Sequence, residues 1–134
     1  MDVEEQYLDV LQNIEFAIVK VHSEQPALVD FDVETALNAL INYYQAQSGG
    51  SSGRPIRLNE RSQAVYEAVK MMCEWRLGNE TLISADKHQR PLSLVPVSLD
   101  VIIACLKRIR KSVQRWNREG GRQGYLTFIA RFIR

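Results

Sequence analysis

The chain of 134 residues reads as an all-α protein, a single-domain irregular bundle of about five helices. Three observations predict this. Apolar residues recur at spacings of three and four through most of the length, the period of an amphipathic helix. Pro26, Gly78 and Gly120-Gly121 fall between the periodic segments and punctuate them. The only strand-like runs are two short ones inside one connection. A chain of this length buries about two thirds of its unfolded surface, enough for a real core.

The first helix is expected from about Asp2 to His22. Val3, Tyr7, Val10, Leu11, Ile14, Ile18 and Val21 form one stripe, close to a heptad seam, with Glu5 and Asp9 opposite. Phe16 falls on the wrong side of this helix, which marks either a covering loop or a contact with another subunit. Residues 23–31 are a connection containing Pro26. Asp32 is the expected cap of a second helix that runs to about Gln47, with Leu37, Leu40, Ile41 and Tyr44 facing inward. The Gly/Ser stretch at 48–54 reads as a flexible loop within the domain.

A third helix is expected from about Asn59 to Leu77, before Gly78. Val65, Tyr66, Ala68, Val69, Met71, Met72, Cys73 and Trp75 cover more than half of its circumference. That width predicts the most enclosed helix of an up-and-down bundle. Glu60, Glu67 and Glu74 make a narrow polar stripe within reach of Lys70. Residues 78–97 are a long loop, in which 81–83 and 92–95 are spaced to pair as a small β-hairpin; Pro91 and Pro96 would confine the second run to an edge. A short last helix is expected over Arg122 to Ile133, apolar through Tyr125, Phe128, Ile129, Phe132 and Ile133.

Leu99 to Arg118 carries the strongest helix signal. Leu99, Ile102, Ile103, Leu106, Ile109, Val113 and Trp116 share one face. Lys107, Arg108, Lys111, Arg115 and Arg118 occupy the other, and Arg110 sits at the border, where its stem can lie on apolar surface. Ser98 is the expected N-cap, with Asp100 in the first turn. The cationic face suits phosphate, acidic lipid or an acidic protein; a solvated outer face of a core helix has the same pattern.

The net charge of +1 hides an asymmetry. Residues 1–48 hold nine acids and one base, Lys20; residues 101–134 hold nine Lys or Arg and one acid, Glu119. Such a split suits a nucleic-acid face, or two ends that attract each other within or between subunits. The acidic N-terminus lacks the pattern of a signal peptide, and no apolar run approaches a membrane span, so the reading is cytoplasmic. Cys73 and Cys105 read as small buried hydrophobes.

Catalytic and cofactor signatures are missing from the pattern. A di-iron bundle needs Glu-x-x-His, but the residues three after Glu60, Glu67 and Glu74 are Gln63, Lys70 and Leu77. His22 and His88 have no Cys, His or carboxylate at zinc-ligand spacing. No metal, cofactor or catalytic residue is therefore assigned. The turn Gly120-Gly121-Arg122-Gln123-Gly124 could cradle an anion, although it lacks a preceding strand and a P-loop Lys-Ser/Thr. The expectation is a non-enzymatic protein that associates with itself or with a protein partner. The alternative is a nucleic-acid-binding accessory protein using Lys107, Arg108, Lys111, Arg115 and Arg118. The third reading is a small anionic ligand at Gly120, Gly121, Arg122 and Gly124.

Overall fold

The computed structural model describes residues 2–51, 53–78, 96–119 and 124–133. Among these the chain forms five helices and no strand: α1 (Val3–Glu24), α2 (Asp30–Gln47), α3 (Glu60–Leu77), α4 (Leu99–Glu119) and α5 (Tyr125–Ala130). The hairpin expected at 81–83 and 92–95 lies outside the described residues, as do Gly120, Gly121 and Arg122.

Local chemistry sets most helix ends. Asp2 caps α1, its carboxylate accepting from the Glu5 amide at 2.8 Å. Asn59 caps α3 in a reciprocal box: the Ser62 amide donates to Asn59 Oδ1 at 2.8 Å, and the Asn59 amide donates to Ser62 Oγ at 2.8 Å. Gly78 closes α3 in the left-handed region, at φ +84°. The glycines after α2 also have a defined task. The Gly50 amide donates to the Gln45 carbonyl at 2.8 Å and Gly49 to Ala46 at 3.3 Å, with Gly49 at φ +88°. This is a Schellman cap.

Two boundaries differ from expectation. α2 starts two residues before Asp32, so Asp32 is a first-turn residue and not the cap; its carboxylate reaches back to accept from the Val29 amide at 3.1 Å. A cap and the third helical residue both favour acids, so composition alone does not separate them. α5 is only six residues long, ending in a turn at 131–132.

The connectivity is not simple up-and-down. α1 packs on α3 and α4, and α2 packs on the same two helices, so the consecutive α1 and α2 stand diagonally. Asp32 meets Asn59 and Arg61, while Lys70 lies over the Tyr43 ring at 4.4 Å. The start of α2 is thus level with the start of α3, and the two helices run parallel. Residues 53–56 return along α2 past Ala39, Asn42 and Tyr43 to make this arrangement. α1 and α4 also run parallel: Cys105 Sγ lies 3.4 Å from the Tyr7 carbonyl, and Leu11 and Glu15 border Ile109 and Ser112. α5 packs across α1 and α4.

The core lies between the four long helices, around Ile14, Ile18, Leu37, Leu40, Tyr44, Val69, Ile102 and Leu106. The expectation that α3 is most enclosed is overturned. α2 buries Asp32, Val33, Ala36, Leu37, Leu40, Ile41 and Tyr44, whereas α3 buries only Ser62, Val65, Val69, Cys73 and Arg76. Met71 is 61% exposed. Tyr66 lies at the flank, with Lys70 over its ring and that of Tyr43. The wide apolar face of α3 is a cation–aromatic margin on one side and not core throughout.

Candidate interaction face and its cleft

The outward side of α4 carries a row of cations. Lys107, Arg108, Lys111, Arg115 and Arg118 are all exposed, while Ile102, Cys105, Leu106, Ile109 and Val113 point inward. The side chain of Arg110 turns from this face to donate to Asn38 of α2 at 3.2 Å. Lys107, Arg108, Lys111 and Arg118 form no ion pair with another described residue.

Three acids of the first half, Asp9, Asp30 and Asp32, are engaged elsewhere. Asp9 and Asn13 of α1 accept from the buried guanidinium of Arg76, at 2.5 and 2.6 Å. Asp32 is 1% exposed and accepts from Val29, Asn59 and Arg61. Burial raises its pKa, but the hydrogen bonds from Asn59, Val29 and Arg61, with the Arg61 charge, outweigh burial and hold the carboxyl below its ordinary 3.8. Asp30 accepts from the Tyr125 and Leu126 amides at 2.7 and 3.1 Å, supplying from α2 the cap that α5 lacks in its own sequence. Gly124 is required there: a Cβ would sit 2.4 Å from Asp30 Oδ2.

Near the C-terminal end of α4 the cationic face opens into a cleft of ≈ 350 Å³ between α1, α4 and α5. Arg108 and Arg115 border it, with Leu11, Ile109, Ser112, Trp116 and Phe128. The buried Tyr125 hydroxyl donates to Glu15 Oε2 at 2.5 Å within it. Burial and the adjacent Glu15 charge push this hydroxyl well above its ordinary value. Trp116, Phe128 and Phe132 form an aromatic ladder beside the cleft, with centroid spacings of 5.1 and 5.0 Å. Phe132, at its end, is 70% exposed.

The structure thus brings Arg108 and Arg115 together at the cleft and aligns Lys107, Lys111 and Arg118 with them along α4. Of the glycine turn, Gly124 alone is described, and the first two amides of α5 beside it already face the Asp30 carboxylate. Sequence reasoning missed Glu15, Asp30 and Tyr125. Their partners lie 95 to 110 residues away, which no local pattern signals.

Both cysteines are free and buried. Burial pushes Cys105 up to about 12, with Arg76 pulling against it and Glu15 adding to the rise; burial, Cys105 and Glu74 raise Cys73. Thiols so placed are poor nucleophiles at neutral pH. Among the described residues no group of three or more His, Cys, Asp or Glu converges, and no helix is long and apolar enough to cross a membrane. Comparison with protein-family models, curated proteins and solved structures returned no match.

Proposed function

We propose that this is a small non-enzymatic interaction protein whose docking surface is the cationic face of α4 with the aromatic ladder beside it, and whose partner is an acidic protein surface. One observation carries the reading. Lys107, Lys111 and Arg118 are exposed on α4 and form no ion pair with another described residue. Like charges in a row along one helix create a field that steers and orients an acidic partner. The exposed Phe132 and half-exposed Phe128 add apolar area at the margin of that field.

The test is anisotropy of a labelled poly-glutamate peptide titrated with protein and then with salt. Binding at low salt, lost on raising salt and in the Lys107→Glu/Lys111→Glu/Arg118→Glu variant, is the expected outcome. Absence of binding at low salt refutes the reading.

The aromatic ladder favours a second reading, nucleic acid. Cations with an exposed ring beside them meet phosphates and stack bases. A labelled single strand serves as the parallel probe. Tighter binding to it than to poly-glutamate, weakened in Phe132→Ala, would put this reading first.

A further inference from the structure

Arg108, Ser112 and Arg115 follow one another along α4 at spacings of four and three, so they share one side of the helix. Helical spacing turns that side by roughly 80° from the outward row of Lys107, Lys111 and Arg118. All three residues border the cleft between α1, α4 and α5. Along the helix axis Arg108 stands about 6 Å and Arg115 about 4.5 Å from Ser112, distances that a long arginine stem spans. Both guanidinium groups therefore reach a point above the Ser112 hydroxyl. Arg108 forms no ion pair with another described residue.

The remaining lining is largely apolar. Ile109, 1% exposed, lies at its base, and Trp116 and Phe128 stand beside it with ring centroids 5.1 Å apart. One charge opposes the arginines. Glu15 borders the cleft, where its Oε2 accepts from the buried Tyr125 hydroxyl at 2.5 Å. Two guanidinium groups against one carboxylate leave a surplus of one positive charge in the lining. A single further carboxylate cancels it, and the planar arginine fork binds a carboxylate through two parallel hydrogen bonds.

We propose that this cleft binds a small aromatic carboxylate, its anionic group held by Arg108 and Arg115 over Ser112 and its ring against Trp116 and Phe128. This goes beyond the docking of an acidic protein, because the site lies on a different side of α4 and takes an apolar body together with the charge. At ≈ 350 Å³ the cleft is at the small end of ligand pockets, which run from about 300 to 1,000 Å³, so the occupant is about one or two fused rings in size. Glu15 fixes its direction: the carboxylate turns to the arginines at the mouth and the ring turns inward.

Heteronuclear NMR of the full chain, titrated with naphthoate at about 0.15 M salt, tests it. The Trp116 indole N–H is the reporter; that of Trp75, which does not border the cleft, is the reference, and Trp75→Phe assigns the two. The expected result is a saturable shift of the Trp116 signal with the Trp75 signal unmoved. Arg108→Leu weakens binding at least about tenfold, the loss of a charge-assisted bond. Glu15→Gln, which keeps an acceptor for Tyr125, strengthens binding about threefold, the effect of removing one charge about 7 Å away in water, the width of a cleft of this volume. Naphthylmethylammonium, with the same rings and the opposite charge, leaves the Trp116 signal unmoved. No Trp116 shift at millimolar naphthoate overturns the proposal, as does an equal shift with the ammonium compound. Undiminished binding by Arg108→Leu, or weakened binding by Glu15→Gln, also overturns it. A chain that binds poly-glutamate and not naphthoate lacks this site and keeps the docking reading of α4.

Discussion

The Asp30 carboxylate and Gly124 form one unit, and a double-mutant cycle measures it. Asp30→Ala removes the acceptor of two amide hydrogen bonds at the start of α5. Loss of such a cap costs up to about 2 kcal/mol, and bonds to a charged acceptor fall at the upper end of that range. Gly124→Ala acts on the same bonds from the other side. Its Cβ would stand 2.4 Å from Oδ2 and 3.0 Å from Cγ of Asp30, so the carboxylate must leave. It too should cost about 2 kcal/mol. With about 2.1 cal/mol/K of unfolding entropy per residue over 134 residues, each change lowers Tm by roughly 7 °C. Once the carboxylate is absent, the methyl group has nothing to displace. The double variant should therefore be little worse than either single one, with a coupling of about 1.5 kcal/mol or more. Thermal unfolding followed by circular dichroism reads all four proteins. Simple additivity, with a fall of roughly 14 °C in the double variant, would refute the argument that the glycine is there for the carboxylate.

Three further outcomes follow from the buried groups. Cys73 and Cys105 should resist a thiol reagent at neutral pH in the native protein and react in denaturant, because both are buried and raised in pKa; rapid labelling of the native chain would contradict this. Asp32 is held below 3.8, so its contribution to stability is present above that value and is lost as pH falls below it. Asp32→Asn should flatten the acid limb of a stability–pH curve, and an unchanged limb would count against it. Tyr125 is raised above 10, so its contribution is intact below pH 10 and declines as pH rises beyond it. Tyr125→Phe should lose about 1 kcal/mol near neutrality, since Glu15 is left partly exposed to water, and should weaken the alkaline decline.

What was legible in the sequence is what a helix writes locally. The α4 stripe, the Asn59 cap and the Gly78 stop are all set by residues within one or two turns, and each stands where the spacing puts it. Phe16 was likewise recognisable as misplaced, and it is exposed. The parallel course of α2 and α3 was not legible, because the Gly/Ser stretch reads the same whether it turns back or travels the length of a helix. Nor were the Asp30 and Glu15 contacts, since an acid on a helix surface looks alike whether it meets water or an amide 95 residues away. The error over α3 has a different origin. Aromatic and methionine side chains count as apolar in a periodicity, but Tyr66 and Met71 sit at a margin where Lys70 and water reach them.

The returning segment between α2 and α3 acts as a ruler. α2 is 18 residues long, so the chain must travel back about 27 Å, and sideways by about one helix diameter, before α3 can begin level with the start of α2. Residues 48–59 provide twelve steps, about 40 Å when fully extended, and the first three are curled into the Schellman cap. Deleting residues 51–54 would leave eight steps, about 26 Å at most. The parallel start of α3 would then be out of reach. The cheaper solution for the shortened chain is an antiparallel α3, or an exchange of that helix between two molecules. The length of the Gly/Ser stretch, more than its composition, selects one of two bundles that the same helices could build.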